Sequence, residues 1–224
     1  MKWWICLFVC VPFFGASQDF CHGKCTKARN NQTILTNHIF TYCNNSETKF
    51  ADWVAYRLDT SLTHGAGRPR YWRADPNLPE NERLEPDDFK YGYDSIGVDR
   101  GHLVPLGAID GSDYYYEANY LTNITPQYSQ LNRGIWKELE EIELSLVEQY
   151  DTIWVMAGTL YDSPMPKLPN CNEAHRIPSG YWKVIWYSDL VIAYVFNQDC
   201  GQSQLNECEI TLRELRSKTK VKVK

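Results

Sequence analysis

The chain has 224 residues with no internal repeat, no low-complexity tract and no long Gly/Ser linker. A repeat array and a string of tethered modules are thereby excluded, which leaves a single domain as the simplest organisation. Disorder is excluded as well, because 43% of the residues are hydrophobic and 14% aromatic, ample for a packed core. Beyond the first residues no apolar run approaches the roughly 20 residues that a membrane-spanning helix needs. Basic charge is in deficit, 23 Lys and Arg against 28 Asp and Glu, which argues against binding a polyanion through a broad basic surface. No "GxSxG" elbow is present for a serine hydrolase. No second close pair of cysteines or histidines stands at zinc-finger spacing, which disfavours zinc as the use of the thiols.

What is present begins with a leader. "MKWWICLFVCVPFFGASQ" carries one lysine, an apolar run from Trp3 to Phe14 and then Gly15, Ala16 and Ser17, the layout of a secretory signal peptide over residues 1–17. The domain then runs over 18–224, exported and extracellular. Lys2 leaves with the leader, so the formal charge becomes 22 − 28 = −6. Six cysteines remain (Cys21, Cys25, Cys43, Cys171, Cys200 and Cys208), an even number that predicts three disulfides in an oxidising compartment. Only "CHGKC" points to a particular pair, Cys21 with Cys25. Sequons for glycosylation stand at Asn31, Asn44 and Asn123. The lysine-rich end, "RELRSKTKVKVK", reads as a solvated terminus.

Strand signals fall at "FADWVAYRLD" (50–59), "TIWVMAG" (152–158) and the pair "YWKVIWY" and "VIAYVFN", which form a hairpin around Ser188 and Asp189. From Gly65 to Asp94 proline, glycine and charge dominate, predicting a long irregular excursion of the kind that serves a site or a partner. The spacing of Ile135, Leu139, Ile142, Leu146 and Tyr150 predicts a helix over 134–150, with glutamates on its outer face and Asn132 as its cap. Strands on both sides of a helix, with much coil, give an α+β fold around a largely antiparallel sheet flanked by helices and long loops.

Chemistry concentrates in two places. In "DRGHLVP" (99–105), His102 is one of five histidines; it is either a structural residue of a polar turn or a general base. For the second role Asp99 would accept from the imidazole and fix its tautomer, Arg100 would add a permanent cation, and Gly101 would let the backbone bend. Downstream, Asn119, Asn123, Gln127, Gln130 and Asn132 precede the helix; such amides suit either a capped turn or a hydrated hard cation. On a continuous helix Asn132 and Glu140 would stand about 80° apart around the axis and roughly 12 Å along it, on one broad side.

The order "DRGH", "YLTNITPQ", "LNRGIWKELE" from Asp99 to Glu140 resembles the DNA/RNA non-specific endonuclease family. "TKFADWVAYRL" and "RYWRADP" before it, and "KLPNCNEAHRIPSGYWKVI" after it, extend the likeness over most of the chain. The resemblance implies a ββα-metal fold that cleaves DNA and RNA to 5′-phosphate and 3′-hydroxyl products, with little sequence preference. It also implies His102 as general base and Asn132 as the protein ligand of Mg²⁺, with Mn²⁺ able to substitute. Glu140 then reaches a water in the metal's shell, Arg100 and Arg70 hold phosphate, and Asn123 helps to shape the site. Cys43, Cys171 and Cys200 have no counterpart in the family pattern, so their pairing stays open. The competing reading is an exported nucleic-acid-binding protein on the same scaffold without turnover.

Overall fold

Side chains alternate across a β-strand, and in this chain the alternation separates two apolar faces. The computed structural model describes residues 19–23, 25, 27–219 and 221, so the expected leader lies outside the described residues. Six antiparallel strands form the main sheet in the order β1 (Gln32–Thr36), β2 (Thr41–Asn45), β3 (Ala51–Asp59), β6 (Thr152–Leu160), β7 (Gly180–Tyr187) and β8 (Leu190–Asn197). On one face Val54, Tyr56, Val155 and Ile185 pack against Trp136, Leu139 and Val147 of helix α3 (Ile135–Tyr150). On the other, Trp53, Met156, Trp182 and Val184 pack against Leu215 of helix α4 (Leu212–Lys218). The architecture is therefore the expected α+β arrangement around an antiparallel sheet. Among the described residues no helix is long and apolar enough to cross a membrane.

The segment that matters for function is a small ββα unit on the α3 side. Strands β4 (Val98–His102) and β5 (Ile124–Tyr128) pair antiparallel, and β5 leads into a short helix α2 (Ser129–Arg133) and then α3. Gly134, with φ −101° and ψ −115°, breaks the helix between them, and a Cβ there would collide with the Gln130 carbonyl. The excursion from Gly65 is irregular, as expected, until the short helix α1 (Gly92–Ile96). Buried Asp75 accepts from the Tyr42 and Thr122 hydroxyls at 2.6 and 2.7 Å. Asp110 accepts from the backbone N–H groups of Gly65 and Gly67. Two carboxylates thus hold a segment that has little hydrogen-bonded secondary structure of its own.

Three expectations fail here for identifiable reasons. Asn132 does not cap α3, because it belongs to α2 and its amide is engaged elsewhere; Gly134 occupies the cap position without any side-chain bond. The glutamates are not all outside: Glu143 is fully buried. The inward stripe is Trp136, Leu139, Glu143 and Val147, with Ile142 and Leu146 only half-buried, because Lys183 on β7 waits beneath the helix. Lys183 donates to Glu143, which also accepts from the Tyr56 hydroxyl at 2.8 Å, while the Lys183 ammonium lies 4.3 Å from the Trp136 ring centroid. Of three expected disulfides, only Cys21–Cys25 is closed among the described residues; Cys200 and Cys208 lie within hydrogen-bond reach of each other, and Cys43 and Cys171 are unpaired. Cys43 and Cys171 cannot meet, since they pack into separate apolar clusters. Asn44 and Asn123 are fully buried, which leaves a glycan no room at two of the three sequons.

Removing one partner of a buried pair strands the other charge. Glu143→Ala should therefore lower unfolding stability by about 3–5 kcal/mol in a urea titration, whereas the paired change Glu143→Leu with Lys183→Met should be near neutral.

Candidate active site

The stretch "DRGH" is a strand and not a turn, which alters how its four side chains are used. Alternation puts Arg100 and His102 on one face of β4 and Asp99 on the other. Gly101 therefore serves as a place of close approach: a Cβ would collide with the Gln127 side chain packed across it. Asp99 does not reach His102. The partner of the imidazole is Asn119, whose Oδ1 lies 3.2 Å from His102 Nε2 and whose Nδ2 donates to the Pro69 carbonyl at 3.4 Å. With the amide so oriented, Nε2 carries the proton and Nδ1 keeps its lone pair. His102 is 8% exposed, and burial lowers its pKa to about 4, opposed by the Asn119 bond and reinforced by Arg70. At neutral pH it is an uncharged base.

Asp99 has a different task. Its Oδ2 accepts from Asn132 Nδ2 at 3.0 Å and from Arg133 Nε at 2.8 Å, and its Oδ1 accepts from Arg133 Nη2 at 2.7 Å. Burial opposes ionisation, but the bonds from Arg133, Asn132 and Ser129 outweigh it and hold the carboxyl below its usual range. Because an ionised carboxylate only accepts, the Asn132 amide must turn its nitrogen toward Asp99 and its oxygen away. That oxygen accepts no hydrogen bond from the described residues. Asn132 shares a cleft of about 840 Å³ with Arg70, Arg100, His102 and Glu140.

One neutral oxygen and one carboxylate, in a cleft able to hold water, fit a hard dication that keeps much of its hydration shell. Burial pushes the Glu140 carboxyl up to about 7, with Lys183 pulling it down and Glu143 adding to the rise. A cation in the cleft would favour its ionised form. Arg100 donates to the Pro86 carbonyl at 3.0 Å, and its buried Nε has no partner. Burial lowers the Arg100 pKa from its ordinary value, with Asp87 opposing. Arg70 has no ion-pair partner among the described residues, so both guanidiniums retain unused donor capacity for phosphate.

A family model described as DNA/RNA non-specific endonuclease matches residues 21–224. The chain belongs to that family. It is 36% identical over 211 residues to a nuclease of Serratia marcescens, covering 91% of this chain and 79% of that one. To zebrafish mitochondrial nuclease EXOG it is 33% identical over 130 residues, 57% of this chain but 36% of the relative. Human mitochondrial endonuclease G matches at 29% over 131 residues, 57% of this chain and 43% of the relative. A crystal structure of the EndoG/EndoGI complex superposes with a TM-score of 0.70 over 84% of each chain at 19% identity, which speaks to the fold. The ββα unit is thus that of a metal-dependent endonuclease, and the chain is a nuclease acting on nucleic acid.

Five of the six expected site residues, Arg70, Arg100, His102, Asn132 and Glu140, line this endonuclease cleft. Asn123 lies behind it, fully buried. Its Oδ1 accepts from Val104 N–H at 2.8 Å, and its Nδ2 donates to the carbonyls of Val104 and Ala118. It shapes the turn after His102 and has no polar atom left for substrate. Trp72 is given no role by the sequence, and Asn119 is marked there only as one of five amides suited to a capped turn or a hydrated cation. Trp72 lies 5.4 Å from the His102 ring and 5.6 Å from the Arg100 guanidinium, and so packs against both base and cation. The amide-rich stretch contained Asn119, but nothing in its spacing distinguished it from its four neighbours.

Titration of the His102 ring nitrogens by NMR should show a midpoint near 4 in the metal-free protein, with Nε2 protonated above it. A midpoint at 6 to 7, the range of an exposed histidine, would contradict the buried neutral base.

Proposed function

We propose that the protein is an exported, Mg²⁺-dependent, sugar-non-specific endonuclease that hydrolyses DNA and RNA to 5′-phosphate and 3′-hydroxyl products. The observation that carries this reading is the convergence, in one cleft, of a neutral buried imidazole with a free Nδ1, an amide oxygen turned outward by Asp99, and two arginines. The Cys21–Cys25 disulfide supports an oxidising destination.

The residues divide the work as follows. Arg70 and Arg100 bind the non-bridging phosphate oxygens and neutralise charge as it develops. His102 removes a proton from the attacking water through Nδ1, and Asn119 stabilises the imidazolium by accepting from Nε2. Trp72 packs against the imidazole and the Arg100 guanidinium and excludes bulk water from the ring. Asn132 Oδ1 and Glu140 would hold the dication, which when bound supplies Lewis-acid stabilisation of the leaving oxygen. Asn123 positions the backbone behind the base. None of these groups is arranged to read a base edge, so affinity comes from the phosphate backbone and sequence preference is weak.

Purified mature protein incubated with plasmid and with RNA should degrade both in Mg²⁺ and neither in chelator. His102→Ala should lower the rate by about 10²- to 10⁴-fold, and Asn132→Ala should bring the Mg²⁺ rate down toward the chelator level. Nucleic acid bound yet intact in Mg²⁺ would instead support the scaffold without turnover. Activity should fall steeply between low and physiological salt, because phosphate contacts displace condensed counterions; a flat response would count against arginine-led binding.

A further inference from the structure

Among the described residues the large hydrophobic side chains most open to solvent include Tyr71, Tyr91 and Tyr93, exposed by 63%, 63% and 55%. Two of them, Tyr91 and Tyr93, line the catalytic cleft, and the third, Tyr71, is the sequence neighbour of Arg70 and Trp72, which also line it. An exposed tyrosine taken singly needs no explanation, but a cluster at the mouth of one cleft does.

The geometry around Tyr93 is specific. The Arg133 guanidinium lies 5.0 Å from the centroid of its ring, a cation–π contact, and more than half of the tyrosine stays open to solvent. Arg133 is itself held by two bonds to Asp99, the carboxylate that also orients Asn132. The aromatic face is thereby tied at a fixed offset to the amide that would hold the metal. Tyr91, two residues before it, has φ 63° and ψ 4°, a left-handed conformation that non-glycine residues rarely adopt. The backbone is held in this form at the point where it presents both rings. Lys90 and Lys137 add cationic charge to the same wall, each beside an exposed acid, Asp87 at 2.8 Å and Glu141 at 3.5 Å.

Flat aromatic faces among cations, beside a phosphate site, match the chemistry of a polynucleotide whose bases are splayed out. We propose that Tyr93, backed by Arg133 and with Tyr91 beside it, is a stacking platform for an unpaired nucleobase next to the scissile phosphate. The inference rests on the nuclease reading of the cleft. In a duplex the base faces are covered by their neighbours and cannot reach the ring; in a single strand they can. Every base has a π-face, so such a platform adds affinity without adding sequence preference. It gives the enzyme a source of binding to single strands that the backbone contacts alone do not supply.

The test separates binding from turnover. Fluorescence anisotropy in chelator measures Kd for a labelled single-stranded oligo(dA) and for an abasic strand of equal length and charge. Wild-type protein should bind oligo(dA) more tightly by about tenfold, within the range measured for one stacked base. Tyr93→Ala should bring that ratio close to one, and Tyr93→Phe and Tyr93→Trp should preserve it. A wild-type ratio near one, or a ratio unchanged in Tyr93→Ala, would overturn the platform. Equal loss of affinity for both strands in Tyr93→Ala would also overturn it, by showing that the ring only props Arg133. In a parallel incubation with Mg²⁺, intact oligo(dA) would sink the nuclease reading, while the Kd ratio judges the platform by itself.

Discussion

The carboxylate of Asp99 joins the strand that carries the base to the helix that carries the amide, and most of the site's chemistry follows from how that carboxylate is used. A side-chain amide has an oxygen end and a nitrogen end, and only the oxygen can ligate a cation. Asp99 accepts from Asn132 Nδ2, so the oxygen is the end turned away. Arg133 keeps Asp99 ionised and in place by a two-pronged bond. An asparagine offers the metal no charge of its own, which leaves a dication close to its full strength for the phosphate. The acidic residue contributes by orienting the ligand, and does not itself neutralise the ion.

Two further restraints keep the base in register with that amide. The Trp136 indole donates to the His102 carbonyl at 3.1 Å, tying the first turn of α3 to the end of β4. The Lys183–Glu143–Tyr56 group ties the next turns of α3 to the main sheet. The wall of the cleft that bears Arg70 and Trp72 comes from an irregular segment, and it is fixed by backbone bonds from Arg73 N–H to the Asn119 carbonyl and from Leu121 N–H to the Arg73 carbonyl. The same stretch therefore supplies the partner of His102 and anchors the loop that covers it. Rigid elements hold the base, Arg100 and the metal amide, while a loop braced by buried carboxylates brings Arg70.

Much of this was legible in the sequence because the signals are local. The strands at 50–59 and 152–158 and the hairpin around Ser188 show β-branched and aromatic runs that need no tertiary information. The ordered motifs from Asp99 to Glu140 placed His102, Asn132 and Glu140 on one functional surface. What stayed hidden depends on contacts distant in sequence. Glu143 lies inward because Lys183, forty residues later, faces it across the core. Asn119 takes the role expected of Asp99 because strand alternation carries Asp99 to the opposite face from His102, and "DRGH" gives no sign of being a strand. Gly134 breaks the helix, which removes the continuous spacing assumed between Asn132 and Glu140. The cysteines were only a partial guide, because parity says nothing about distance: Cys200 and Cys208 lie side by side, whereas Cys43 and the half-buried Cys171 pack into different clusters.

The most direct test of the central claim is where the metal sits. Anomalous scattering from crystals soaked in Mn²⁺ should show one peak in the cleft, bonded to Asn132 Oδ1 at about 2.1 Å, with Asp99 still bound to Asn132 Nδ2 and to Arg133. A peak coordinated directly by the Asp99 carboxylate, or one outside the cleft that holds His102, would contradict the account.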